Sequence, residues 1–141
     1  MEKEMEKQKL SLEEFKEKYI TPFGRLGYIF DDRGYIVWRE GTGNNIELLH
    51  IGVFEKRKGY GRQLVKEMLE RLEENPPYFS VFGFTRTSNK IAHSFYKTLG
   101  FNLVPLAGLY KDGSAVMFWQ EYKKLCKKNG YSFKLTNRQT L

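Results

Sequence analysis

The feature that most constrains the fold is an apolar stretch, Ile46 to Val53, that runs into a basic loop with two glycines, Lys56 to Gly61. The stretch is typical of a strand buried on both faces, and a helical pattern starts at the end of the loop. The N–H groups of a first helical turn have no partner within the helix and, together with the helix dipole, bind phosphate. The sequence therefore predicts a phosphate-binding loop between a buried strand and a helix.

The spacing of this loop excludes two common nucleotide-binding motifs. A G-x-x-x-x-G-K-[ST] loop is absent, and Leu64 stands where a G-x-G-x-x-G fingerprint has its third glycine. Gly59 and Gly61 let the backbone approach an anion closely. Side chains that add positive charge around them are Lys56, Arg57, Lys58 and Arg62. Neither an ATPase of the P-loop type nor a Rossmann dehydrogenase fits.

A second motif follows the next predicted strand, Tyr78 to Phe84. Apolar residues recur there at helical spacing, and Gly100 stands where a left-handed residue ends a helix. The residues of this motif are Asn89-x-x-Ala92-x-x-Phe95-Tyr96-x-x-x-Gly100-Phe101. In order and spacing, the two motifs resemble the [QR]-x-x-G-x-[GA] and N-x-x-A-x-x-[LF]-Y-x-x-x-G-F segments of the GNAT acetyltransferase superfamily. Only the first position of the loop, Lys56, departs from that pattern, and the resemblance covers about residues 27–122.

The resemblance implies an α/β GNAT-like fold, in which a mixed, twisted β-sheet is flanked by helices on both faces. It also implies acetyl-CoA (coenzyme A) as cofactor, with the pyrophosphate on the loop amides and the pantetheine arm paired with backbone groups of the preceding strand. The two central strands splay apart in such proteins, so that the thioester reaches the gap between them. The residues that the resemblance assigns to the cofactor are Ile51, Val53, Lys58, Gly59, Tyr60, Gly61, Arg62, Asn89 and Tyr96.

The activity that the resemblance implies is transfer of an acetyl group to a primary amine of unknown identity. Tyr96 stands at the position of the family's usual acid. A phenol is a weaker acid than a thiol, by about 2 kcal/mol at reference pKa values, so a hydrogen bond to the departing thiolate is the safer role. For the base, Glu47, His50 and a water chain all remain open, because Phe84 stands where some peptide acetyltransferases of the family carry a glutamate.

Each of these residues also has a purely structural interpretation. Tyr96 fits a core aromatic residue on a helical face, and Glu47 and His50 fit satisfied strand residues. Four aromatic residues that fit either an acceptor pocket or the core are Tyr35, Trp38, Tyr110 and Trp119.

The rest of the chain supplies conventional elements. Ser11 and Glu14 form a capping box that starts a helix over about residues 12–19. A β-hairpin over residues 28–38 turns at residues 31–34. Two further strands are predicted over residues 101–110 and 115–120, with Pro105 at a bulge or an edge. The lysine-rich stretch at residues 122–128 is typical of a solvated helix face.

Composition limits the remaining possibilities. A chain of 141 residues fits one domain. Cys126 cannot form an internal disulfide bond and, with only His50 and His93, gives no Cys/His zinc site. No apolar run approaches about 18 residues, so a cytoplasmic monomer or homodimer without a membrane partner is expected. The net charge of +7 leaves an alternative, a non-catalytic CoA-binding or nucleic-acid-associated module on the same fold. The affinity of a nucleic-acid binder would fall steeply with salt.

Overall fold

A computed structural model describes residues 7–41, 45–72, 78–106, 115–124 and 133–135. The helices are α1 (Leu12–Phe15), α2 (Tyr60–Arg71) and α3 (Lys90–Thr98). A π-helical turn (Lys16–Ile20) and a 3₁₀ turn (Thr21–Phe23) follow α1. The strands are β1 (Gly27–Asp31), β2 (Gly34–Glu40), β3 (Asn45–Val53), β4 (Tyr78–Thr85), β5 (Asn102–Leu106), β6 (Ala115–Lys124) and β7 (Phe133–Leu135). None of the helices in these ranges is long and apolar enough to cross a membrane.

The strands form one mixed sheet in the order β1-β2-β3-β4-β6-β5, and β7 also pairs with β6. Among the strands that the structure describes, only the central pair, β3 with β4, is parallel, and the other pairings are antiparallel. Pro105 lies in β5, at the edge of this order, where a missing N–H costs no ladder bond. The predicted edge position of Pro105 is therefore confirmed.

Helices cover both faces of the sheet, as expected. On one face, the apolar sides of α2 and α3 form a single core with β2, β3 and β6. Residues that represent this core are Ile36, Leu48, Leu64, Met68, Phe95 and Phe118. On the other face, Phe15 of α1 is fully buried against Tyr35 and Val37 of β2. These two layers are the expected consequence of apolar stripes on α2 and α3 and of a single buried side chain on the short α1.

The capping box is confirmed: the Ser11 N–H donates to Glu14 Oε1 at 3.0 Å, and the Glu14 N–H donates to Ser11 Oγ at 3.1 Å. The helix it starts is shorter than predicted, because α-helical bonding gives way to a π turn after Phe15. The β1–β2 hairpin is also confirmed, and its turn is fastened to α2. The Arg33 side chain bonds both Asp31 in the hairpin and Glu67 in α2.

Two predictions about this part of the fold need correction, and a third is tested only in part. The strand predicted over residues 101–110 is described only at Asn102–Leu106, and residues 107–114 lie outside the described part. The helix face predicted over residues 122–128 is wrong at residues 122–124, because β6 continues to Lys124 through pairing with β7. The strand that precedes the basic loop is not buried on both faces, since His50 is exposed. The two sides of this strand differ because one faces the main core and the other a short helical segment.

Candidate active site

The site begins where the two central strands part. β3 and β4 pair only from Asn45 to Glu47 and from Ser80 to Phe82. Beyond this point β3 follows β2 as far as Val53, whereas β4 follows β6 as far as Thr85. The edge of β3 that faces β4 therefore loses its sheet partner over its last residues. The predicted splay of the central strands is present.

A β-bulge lies at the same place. Val37 of β2 is opposite His50 and Trp38 is opposite Leu48, so Leu49 is the extra residue of β3. A bulge turns two consecutive side chains toward one face. Leu49 packs against the Phe15 cluster, and the His50 ring lies 4.9 Å from that of Tyr19 on the same side. The bulge thus presents the His50 ring to the α1 side of the gap.

A cavity of about 320 Å³ fills the gap. Its lining combines β3, the end of β4, the start of α3 and the segment before α1. The lining residues used below are Lys7, Tyr19, His50, Ile51, Asn89 and Tyr96. Tyr35 also lines it and donates a hydrogen bond from its hydroxyl to Tyr19 Oη at 2.9 Å. Elements from both faces of the sheet therefore meet at one cavity.

The phosphate-binding loop has the conformation that its sequence requires. Gly59 caps α2 with a left-handed backbone at φ +73°, and Arg57 is also left-handed at φ +64°. The first helical bond runs from the Gln63 N–H to Gly59 O at 3.1 Å, which leaves the preceding N–H groups of the turn directed out of the helix. No acidic residue lies in this turn. Geometry and charge at this helix start both suit an anion.

Tyr96 lies beneath the gap, on α3. Its ring stacks on Phe118 with centroids 3.7 Å apart, and only 5% of the residue is exposed. Within the described residues the Tyr96 hydroxyl has no hydrogen-bond partner, although a buried hydroxyl normally has one. Burial raises the pKa of this phenol, so it stays protonated and can donate. The Tyr96 hydroxyl can therefore donate a hydrogen bond to a group bound in the cavity that this residue lines.

Two neighbouring residues hold α3 in place. Asn89 is the N-cap, and its Oδ1 accepts the Ala92 N–H at 3.1 Å. His93 Nε2 lies 2.9 Å from Thr85 Oγ1 at the end of β4. Gly100 ends the helix with φ +90°, as its position in the motif predicts. The side-chain oxygen of Asn89 is thus used by the helix, and the residue also lines the cavity.

Comparison with known proteins agrees with this geometry. A sequence profile of the acetyltransferase (GNAT) family matches residues 8–101. The chain belongs to the GNAT family. Among solved structures, it is similar to Ard1 from Thermoplasma volcanium, with 31% identity and a TM-score of 0.53, over 61% of this chain and 60% of that one.

Two other GNAT-type structures share the fold at lower identity. A Bacillus subtilis acetyltransferase in complex with CoA has 18% identity and a TM-score of 0.55, over 77% of this chain and 82% of that chain. Arabidopsis thaliana NAA60 in complex with acetyl-CoA has 15% identity and a TM-score of 0.57, over 96% of this chain and 89% of that chain. The GNAT-like α/β fold predicted from the two motifs is confirmed.

The two predicted bases of this GNAT domain lie in different places. Glu47 forms an ion pair with Arg39 at 2.5 Å and borders a separate pocket with Asn45 and Phe82. It does not line the cavity that contains Tyr96. His50 does line it, and desolvation, followed by the nearby charges of Lys7 and Lys18, lowers the pKa of His50. A neutral imidazole at physiological pH is the form that can accept a proton.

The strand residues expected to bind pantetheine are only partly free. Ile51 lines the cavity, whereas Val53 O accepts a hydrogen bond of 2.7 Å from the Lys7 N–H. The segment before α1 thus uses a carbonyl that the resemblance assigns to the cofactor. Lys7 and Tyr19 were not predicted as site residues. The apolar residue Phe15 in the predicted first helix is the sequence signal that could have indicated their position. In the structure its buried side chain docks α1 on the sheet.

Of the four aromatic residues that fitted either an acceptor pocket or the core, one lines the cavity and one belongs to the core. Tyr35 lines the cavity, and Trp38 belongs to the main core. Trp119 lies in β6 and is not part of the described cavity lining, while Tyr110 lies outside the described residues. Phe84, which stands where some relatives carry a glutamate, lines the cavity but brings no charge to it.

Proposed function

We propose that this protein transfers the acetyl group of acetyl-CoA to a primary amine. The observation that carries the proposal is the unpartnered, buried hydroxyl of Tyr96 at the gap between β3 and β4. A purely structural tyrosine would be expected to have a partner for this hydroxyl. The gap lies beside β3, and β3 leads directly into the predicted phosphate-binding loop. This position supports the same function.

The residues present fit coenzyme A. The start of α2, from Lys58 to Arg62, offers outward N–H groups, positive charge and no acidic residue in the first turn, although Lys58 Nζ lies 3.6 Å from Glu55 Oε1. The free edge of β3 at Ile51 offers backbone groups for an extended chain, and Asn89 and Tyr96 close the cavity on the α3 side. Bound there, acetyl-CoA would supply an activated acyl group with a thiolate leaving group. The fit is good except at Val53, where the Lys7 N–H must leave first.

Two residues that line the cavity, His50 of β3 and Tyr96 of α3, carry groups that can handle protons. We assign His50, or a water molecule held by it, to removal of a proton from the acceptor ammonium, because His50 is neutral and lines the cavity, whereas Glu47 is paired with Arg39. Tyr96 donates a hydrogen bond on the α3 side of the cavity, where the leaving group would develop negative charge. Full proton transfer from Tyr96 is disfavoured by its raised pKa.

Thermal unfolding with and without acetyl-CoA tests the proposal, with ATP and NAD as controls. At about 100 times its dissociation constant, acetyl-CoA should add about 2.7 kcal/mol and raise the Tm by about 5 to 10 °C. When primary amines are then tested with the protein and acetyl-CoA, an amine that accepts the acetyl group should cause release of free CoA thiol. Binding without release for any amine would favour the non-catalytic CoA-binding module, and no selective shift would contradict the proposal.

The pH dependence of the reaction should report His50. Because the pKa of His50 is lowered from 6.5, its neutral form is present throughout the physiological range. We expect kcat/KM to rise with pH through that lowered pKa and then level off. In His50→Gln, kcat/KM should instead climb steadily toward the pKa of the free acceptor amine, about 10. Identical profiles for both proteins would exclude His50 as the base.

A further inference from the structure

Lys7 brings an amine of the chain itself to the candidate active site. Its backbone N–H is held by Val53 O at 2.7 Å, and the residue lines the same cavity as Tyr96 and His50. Lys7 is exposed, and within the described residues it forms no ion pair. Lys7 therefore lines the cavity, and no carboxylate of the described residues pairs with its amine.

The electrostatic coupling between Lys7 and His50 supports the same placement. The Lys7 charge is the largest single-charge contribution that lowers the pKa of His50, after desolvation. Such an effect requires the two groups to be close, because water and salt screen charges that are more than about 8 to 10 Å apart. This effect agrees with the geometry, in which Lys7 and His50 line the same cavity.

Lys9 provides an internal comparison. It lies two residues further along the same segment and is exposed like Lys7. Its Nζ pairs with Asp32 Oδ1 at 3.7 Å, and it does not line the cavity. The two lysines are close in sequence and both exposed, but only Lys7 lines the cavity.

We propose that Lys7 is an acceptor and that the protein acetylates this side chain within the same molecule. The proposal rests on the acetyltransferase function proposed above. The Lys7 ammonium gives a proton to His50 or to water, and its Nζ then attacks the thioester carbonyl carbon. The N–C bond forms, the nitrogen loses its second proton to solvent, the C–S bond breaks, and the thiolate leaves with a hydrogen bond from Tyr96 before it takes a proton from solvent. Acetyl-lysine, free CoA and one net proton result.

Cofactor binding and this reaction are compatible. Pantetheine pairing at Val53 would displace only the Lys7 backbone bond. Leu10, three residues further on, stays packed against the Phe15 cluster. Three residues span at most about 10 Å, so the Lys7 amine stays within reach of the cavity. An amine tethered in this way reacts at a high effective concentration.

The test is incubation of the purified full chain with acetyl-CoA, followed by mass spectrometry of the intact protein and its peptides. We expect one acetyl group, on Lys7 and not on Lys9, with a fractional rate that stays constant over about a hundredfold dilution, as an intramolecular reaction requires. Lys7→Arg, which keeps the charge, should abolish this product, and Lys9→Arg should not change its rate. Tyr96→Phe should slow it by about a hundredfold.

The outcomes separate this inference from the function on which it rests. If free amines release CoA but Lys7 stays unmodified, self-acetylation is wrong and the acetyltransferase function stands. Equal labelling of Lys7 and Lys9 would indicate chemical acetylation by the thioester, and a fractional rate that falls on dilution would indicate transfer between molecules. Either result overturns the inference. Absence of both CoA release and labelling overturns both proposals.

Discussion

Replacement of Gly61 by glutamate should abolish acetyl-CoA binding. Gly61 is buried in the first turn of α2, among the N–H groups that point out of the helix start. A glutamate side chain would place bulk and a negative charge where the pyrophosphate is expected. Loss of at least about 100-fold in affinity, or about 2.7 kcal/mol, is the expected result in isothermal titration calorimetry.

The matched control for Gly61→Glu is Gln63→Glu, which makes the same charge change on the same helix. Gln63 is exposed, and its side-chain oxygen faces Arg33 at 3.4 Å, a contact that a carboxylate would keep. Its effect on affinity should stay within about threefold, as expected for one screened surface charge. The Tm of each variant without ligand shows whether it is folded. A folded Gly61→Glu protein with unchanged affinity would refute the loop assignment.

The elements that sequence predicted well are those fixed by local chemistry. The capping box of Ser11 and Glu14 needs only residues three apart, and the β1–β2 hairpin needs only its short turn. Gly59 and Gly100 both have positive φ, which their motif positions require. Two ordered motifs then sufficed for the fold, because each one joins a strand to a helix in a fixed way.

The candidate site was harder to predict, because its geometry depends on register between distant strands. Alternation alone could not show that Leu49 is a bulge residue, and this bulge decides which side of the sheet presents the His50 ring. The pairing of Glu47 with Arg39 likewise follows from the β2–β3 register. His50 therefore lines the cavity and Glu47 does not, a difference that no local sequence pattern could show.

Contributions from outside the motif region were missed for a similar reason. Lys7 and Tyr19 reach the cavity only because α1 docks on the sheet through Phe15. β6 extends to Lys124 because it pairs with β4 as far as Lys123 and with β7, a strand of only three residues, as far as Lys124. A lysine-rich sequence is compatible with a solvated helix or a strand. Pairing with neighbouring strands decides which of the two forms.

Removal of the Tyr96 hydroxyl should separate turnover from binding. In Tyr96→Phe the ring keeps its stack on Phe118, so the core and the acetyl-CoA affinity should change little. The hydroxyl has no described partner, so its loss leaves no buried donor or acceptor unsatisfied. The free energy of unfolding should therefore not fall. If the hydroxyl stabilises the leaving thiolate, kcat should fall by about 100-fold, with the KM for acetyl-CoA nearly constant.

Tyr28→Phe is the control for this prediction, because Tyr28 packs against the Phe15 cluster and does not line the cavity. It also removes one phenol oxygen, from β1 instead of α3, and should leave kcat within about twofold because Tyr28 does not line the cavity. Equal loss in both variants would point to a general effect of tyrosine hydroxyls on folding. Unchanged turnover in Tyr96→Phe alone would make Tyr96 a core residue and would leave His50 as the cavity's proton-handling side chain.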